Sequence, residues 1–182
     1  ERLYLLGDIF EYWAGDDDLD DPFNAQVVAA IRAVSDAGTA VYWMAGNRDF
    51  LVGDGFARAA GLQLLQDPHV IEAGPRRVAL LHGDAQCTLD TAYMAFRAQV
   101  RQPAWQANFL GMPLAQRKAI IAGLRQGSRD AHTEKSYETV DVTPDAIEAV
   151  FAETGADVII HGHTHRPAVH EHGAHLRYVL PD

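Results

Sequence analysis

The stretch LYLLGD, residues 3–8, is an apolar run that ends on a glycine and an aspartate. A strand buried on both faces reads as a nearly continuous apolar run, and a carboxylate inside it would be costly. At the carboxyl end of the strand the cost disappears, because open α/β sheets gather their ligands there. The same arrangement recurs three times. WMAGN (43–47) ends in Asn47, LLHGD (80–84) carries His82, and VIIHGHTH (158–165) delivers His163 and His165. Each has a glycine beside it, which lets the backbone turn sharply and approach a ligand closely. Taken singly, each of these polar residues reads as turn chemistry. Four such strand ends in 182 residues read as one site.

Asp8, Asn47, His82, His163 and His165 form a mixed oxygen and nitrogen donor set. That set suits Mn²⁺, Fe or Zn²⁺ and argues against Ca²⁺, which takes oxygen ligands alone. A carboxylate such as Asp8 can bridge two ions, and two ions roughly 3.5–4 Å apart can clamp a phosphoryl group for in-line attack by hydroxide.

Working outward, the chain alternates strands and helices. RLYLLGD, TAVYWMAGN and ADVIIHGHTH read as strands. PFNAQVVAAIRAVSDAG reads as an amphipathic helix closed by Gly38, and DGFARAAGL as a short helix. TPDAIEAVFAETG is a helix with Thr143 as cap and Pro144 at its first position. HVIEAGPRRVALLHGD and PAVHEHGAHLRYVL read as hairpins turning at Gly74-Pro75 and near Gly173. Residues from about 88 to 139 look helical throughout, with breaks at Pro103, Pro113 and Gly127, a segment too long for a simple crossover and expected to be an inserted helical cap. The expectation is an α/β fold with a mixed sheet, in a single domain spanning residues 1–182.

Composition narrows the function. The sequence is 48% hydrophobic, enough for a sizeable core, and a net charge of −10 argues against a duplex nucleic-acid binder. The acidic balance suits a pocket that takes up metal cations. A lone cysteine, Cys87, excludes a disulfide framework and points to a reducing compartment. It is expected to be a small buried side chain. Against this acidic background, residues 91–136 carry seven Lys or Arg against Asp130 and Glu134. Interleaved are Trp105, Phe109, Leu110, Met112, Leu114, Ile120 and Ile121. A basic, apolar segment fits an interfacial surface near anionic lipids, or an apolar slot beside cationic contacts; equally, it fits helices packed on the sheet. Asp16, Asp17 and Asp18 read as a helix-start cluster, His161 as structural, and His170, His172 and His175 as surface or packing residues. Glu11 and Trp13 are expected to shape the loop beside the metals.

GD near the front, then GNRD, LHGD and GHTH in this order, resemble the calcineurin-like metallophosphoesterase superfamily. Within it, GDIFEYW with GDDD, GNRDF, HGDAQCTLD, IHGHTHRPAVHE and RYVLPD are similar to the lipid A-pathway pyrophosphatases that act on UDP-2,3-diacylglucosamine. The resemblance covers essentially the whole chain and implies an α/β sandwich of mixed β-sheets flanked by helices, with an inserted helical cap. It implies hydrolysis of that diphosphate to UMP and 2,3-diacylglucosamine 1-phosphate with two Mn²⁺ ions, at the cytoplasmic face of the inner membrane and in peripheral contact with anionic lipid. By position it implies Asp8 as bridging ligand, with Asn47, His82 and His163 on one metal and His165 on the other. Asn47 and His163 carry over as catalytic. The same two residues with Arg48, Asp90, Ser128, His132 and Lys135 carry over as substrate contacts. Many superfamily members have a histidine where Arg48 stands; a guanidinium there forks onto a phosphate. Where the family pattern has an asparagine, this chain has His132. The family's first motif, Asp-x-His, does not precede Asp8, and the family pattern continues past LPD. Both ends are therefore expected to be incomplete and the His165 metal short of ligands. A metallophosphoesterase of another nucleotide or phosphodiester, and a catalytically inactive scaffold of the same fold, are the alternatives.

Overall fold

The computed structural model describes residues 1–132 and 139–181, with backbone alone for 127–132. The chain opens with β1 (Arg2–Leu5), a short 3-10 turn at Asp16–Asp18, α1 (Pro22–Asp36), β2 (Ala40–Met44), α2 (Asp54–Ala60) and β3 (Leu62–Leu65). It continues with β4 (His69–Ala73), β5 (Arg76–Leu81), α3 (Thr91–Val100), α4 (Pro103–Leu110) and α5 (Leu114–His132). It closes with α6 (Pro144–Thr154), β6 (Val158–His161), β7 (Ala168–His172) and β8 (His175–Val179).

Two sheets result. The first is three-stranded and wholly parallel, β1-β2-β3, with Leu3 opposite Val41 and Val41 opposite Leu62. The second is five-stranded and mixed, β4-β5-β6-β8-β7, parallel across its centre and antiparallel at both hairpin edges. Leu6, just beyond β1, and Met44 of β2 meet Val78, Leu80 and Val158 of the second sheet in the inner layer. The alternate residues Ala79, Leu81 and Ile159 pack outward beneath Ile147, Val150 and Phe151 of α6. Strand β5 is thus buried on both faces, which is why its apolar run is continuous. The outer face of the first sheet carries a dense aromatic cluster, with Phe10–Trp13, Trp43–Phe56 and Trp13–Phe56 ring centroids 4.6, 5.0 and 5.2 Å apart.

The mixed sandwich flanked by helices matches the expectation, and four local details differ from it. Strand β3 had no counterpart in the sequence reading: LQLL lacks alternation and β-branched residues, and it pairs because Gly61, left-handed at φ 69°, turns the chain back beside β2. Gly127 does not break α5, which runs through it, since a lone glycine costs a helix only about 1 kcal/mol. Thr143 stands at the start of α6 but makes no side-chain cap; its hydroxyl bonds Thr88 Oγ1 at 2.8 Å instead. The acidic run Asp16–Asp18 begins no α-helix of its own. Asp16 accepts from the backbone of Gly53 and Phe56, both at 3.1 Å, and so caps the distant α2.

In the 88–139 segment, packing accounts for most of the apolar side chains. Trp105, Phe109, Met112, Ile120 and Ile121 lie on the aromatic cluster of the first sheet. Cations among its described residues are engaged too. Arg117, 1% exposed, donates to the carbonyls of Ala14 and Met112 and to Asp17, and Lys118 pairs with Asp18 at 2.7 Å.

Candidate metal centre

The regular strands stop short of the polar residues: β1 at Leu5, β2 at Met44, β5 at Leu81 and β6 at His161. The candidate ligands therefore sit on the loops just beyond, where the backbone is free to aim them. Among the described residues the non-glycine positions with positive φ are Asp8, His163 and His165, at 58°, 65° and 54°. Such conformations cost of order 1–3 kcal/mol each and gather where a site requires them. They also end the alternation of β6, so His163 no longer shares a strand face with His161. Glycine lets the loops close on each other: a Cβ at Gly7 or Gly46 would collide with the opposite loop.

Three of the proposed ligands converge. Donor atoms of Asp8, His82 and His163 all lie within 4.8 Å of one another. Asn47 completes the group, its Oδ1 3.0 Å from His82 Nε2 and 2.8 Å from His163 Nδ1. Hydrogen bonding sets the tautomer of His82. A carbonyl only accepts, so Nδ1–H donates to Leu6 O at 2.7 Å and Nε2 keeps its lone pair, which also accepts from the Asn47 backbone N–H at 3.3 Å. Two acceptors, Asn47 Oδ1 and His82 Nε2, are thus held face to face with the Asp8 carboxylate 3.6 Å from the latter. Neutral protein atoms repel in that arrangement; a divalent cation relieves it, so the donor set fits a metal. Burial, then the neighbouring His82, pushes His163 down to about 3, which keeps its imidazole neutral as ligation requires. His165 is exposed and lies outside this group.

Two buried carboxylates that the sequence reading did not single out hold the loops. Asp49, the last residue of GNRD, is fully buried and accepts from the backbone N–H groups of Ile9 (3.0 Å), Phe10 (3.5 Å) and Gly46 (2.8 Å). It ties the loop after β1 to the loop after β2. Burial, then the Asp8 charge, raises it to about 6. Asp84, the last residue of LHGD, accepts from Arg97 Nε at 2.8 Å and from the Tyr93 hydroxyl, fastening α3 to the end of β5. Burial alone would raise its pKa, but His82 and Arg97 more than offset this and hold it at about 2. The signal for both was the acid inside each motif, which sequence alone could not separate from a turn residue. Arg101, at the end of α3, donates to Gly46 O at 2.8 Å, so one helix braces two of the ligand loops.

The remaining candidates scatter. Arg48 sits at the rim, its backbone N–H on Asp8 Oδ1 at 2.8 Å and its guanidinium 3.0 Å from Glu11, whose other oxygen takes Arg125 at 2.6 Å. Asp90 is buried and caps α3 by accepting from Tyr93 N at 3.1 Å. Ser128 and His132 lie on α5 among residues described by backbone alone, and Lys135 lies outside the described residues. Trp13 is buried in the aromatic cluster and Glu11 stays exposed at the rim.

Comparison with known proteins bears on this centre. A family model described as calcineurin-like phosphoesterase matches residues 2–167. The chain is 54% identical over 171 residues to a UDP-2,3-diacylglucosamine hydrolase of Chromohalobacter salexigens, covering 94% of this chain and 69% of that protein. To proteins of the same name it is 50% identical in Cellvibrio japonicus, covering 93% and 70%, and 49% identical in Xanthomonas axonopodis pv. citri, covering 100% and 78%. With the ligand loops and the family match spanning the same strand ends, the chain belongs to the calcineurin-like phosphoesterase family.

Proposed function

We infer that this chain is a metal-dependent hydrolase that cleaves the diphosphate of UDP-2,3-diacylglucosamine, yielding UMP and 2,3-diacylglucosamine 1-phosphate. The observation that carries this is the convergence of Asp8, Asn47, His82 and His163 on one point, in a chain about half identical to hydrolases named for that substrate. In this reading Asp8, Asn47, His82 and His163 hold one cation, His165 serves a second, and both are Mn²⁺. A divalent cation bound there supplies charge neutralisation at the phosphoryl oxygens and makes water acidic enough to attack near neutral pH.

The residues of the chain do the rest. Asp49 and the Leu6 carbonyl hold the ligand loop and the His82 ring in place, so little reorganisation accompanies the reaction. Arg48 offers a planar fork to the diphosphate at the rim. Water oxygen bonds to the α-phosphorus as the bond from that phosphorus to the bridging oxygen breaks; the water's proton goes to solvent, the bridging oxygen leaves with the sugar phosphate, and UMP is the other product. Asp90, Ser128, His132 and Lys135 are proposed to contact substrate, with the helices between Thr91 and His132 acting as a cap. Exposed Leu89, Phe96, Leu110 and Leu124 support an apolar slot for acyl chains and peripheral contact with an anionic membrane at the cytoplasmic face of the inner membrane. Among the described residues no helix is long and apolar enough to cross a membrane.

The test is UMP release from UDP-2,3-diacylglucosamine with Mn²⁺ in one arm and chelator in the other. Metal-dependent release that falls about a hundredfold or more in Asn47→Ala supports the reading. Cleavage of a generic phosphodiester with no UMP release overturns the substrate assignment, and turnover of neither overturns the enzyme reading.

A further inference from the structure

A charged cavity of about 320 Å³ lies on the α6 side of the five-stranded sheet, at its β7–β8 edge. Asp141, Thr164, Arg166, His170 and Arg177 line it. Arg177 is only 8% exposed, on the same strand face as Ile159 and His161. A guanidinium donates only, so the nitrogens it meets, His161 Nε2 at 3.0 Å and His172 Nε2 at 3.4 Å, are acceptors that supply no negative charge. The carboxylate that serves this cavity is Asp141, and both its oxygens are engaged: Oδ2 takes Arg166 at 2.6 Å and Oδ1 takes the Val142 N–H at 2.8 Å. The lining therefore carries two guanidiniums and one carboxylate; Glu148 reaches Arg177 only through His172, whose Nδ1 it meets at 2.8 Å, and a buried charge without a direct counter-charge is costly. The Thr164 hydroxyl, also buried, has no hydrogen-bond partner among the described residues. Two cations, one anion and an unused hydroxyl around a cavity of this size are the donor inventory of an oxyanion site.

We propose that this cavity binds a small tetrahedral oxyanion, as inorganic phosphate or the terminus of a phosphomonoester, between Arg177 and the Thr164 hydroxyl, with Arg166 and His170 at its mouth. It shares no lining residue with the group that Asp8, His82 and His163 form, and it requires no metal.

The test is calorimetric titration of inorganic phosphate, and separately of glycerol 3-phosphate, into the protein held in chelator, so that the metal centre cannot take the anion. One equivalent of saturable binding at millimolar concentration or tighter is expected. It should weaken about tenfold in Arg177→Gln and in Thr164→Val, the size expected for one charge-assisted or buried hydrogen bond, and stay unchanged in Arg48→Gln. Tighter binding of inorganic phosphate supports a free-ion site and tighter binding of glycerol 3-phosphate a monoester site. Should Arg177→Gln fail to fold by circular dichroism, Arg166→Gln serves, since it frees Asp141 to neutralise Arg177 and should also weaken binding. Absence of saturable binding, or binding lost in Arg48→Gln but kept in Arg166→Gln and Thr164→Val, overturns the proposal. Because the chelated protein is inactive in either case, failure here is separate from failure of the hydrolase reading.

Discussion

Asp49 and Asp84 are both fully buried acids that close a ligand motif, and they behave in opposite ways. Among the described residues Asp49 accepts from backbone N–H groups alone; burial first, then the negative Asp8, pushes its carboxyl up to about 6. Asp84 is buried as well but sits against His82 and Arg97, which hold it at about 2. The first acid organises the site from within, joining two loops of the first sheet. The second fastens the helical segment to the second sheet. The same residue type just beyond a strand end does different work because of what reaches it from elsewhere in the chain.

The difference can be broken first at Asp84. Asp84→Ala leaves Arg97 without its carboxylate and Tyr93 without its acceptor, so unfolding free energy should fall by about 3 kcal/mol or more, read from urea denaturation. A rise in the urea m-value would instead point to a changed denatured state. Asp49→Ala leaves the N–H groups of Ile9 and Gly46 unpaired and is expected to cost about 2–3 kcal/mol. Because the loops it joins carry Asp8 and Asn47, Mn²⁺ affinity should also drop by about 10–100-fold, as for other supports of metal ligands. Equal metal affinity in Asp49→Ala and Asp84→Ala would remove the contrast between the two acids.

Glu11 supplies the exposed control. Its carboxylate bridges Arg48 and Arg125, yet all three side chains are well exposed, and Glu11→Gln should change stability by less than about 1 kcal/mol. The smallest effect is expected at Cys87, one helical turn beyond Gly83. Burial first, then the nearby Asp84, Asp141 and Asp90, pushes its thiol up to about 12. The native protein should leave a disulfide reagent unreacted at neutral pH and consume one equivalent only when unfolded. Rapid native modification would show that the Asp84 end of the second sheet opens far more easily than its packing implies.

Much of this was legible from residue order alone. Four apolar runs ending in Asp8, Asn47, His82 and His163 announced strands whose carboxyl ends share a purpose, because burial on both faces leaves no other place for polar groups. Pro103 and Pro113 marked real helix starts, since proline has no N–H to lose at a first turn. Tertiary structure alone decided that LQLL pairs as a strand and that Thr143 bonds Thr88. It also decided that Asp16 caps a helix nearly forty residues away. It made Asp49 a loop brace and Asp84 an anchor, and it left Arg177 buried between imidazoles. Local patterns carry hydrophobicity and backbone preference, which act over a few residues. Hydrogen-bond partners and charge neighbours are set by contacts between segments far apart in the chain, and those exist only once the sheets have packed.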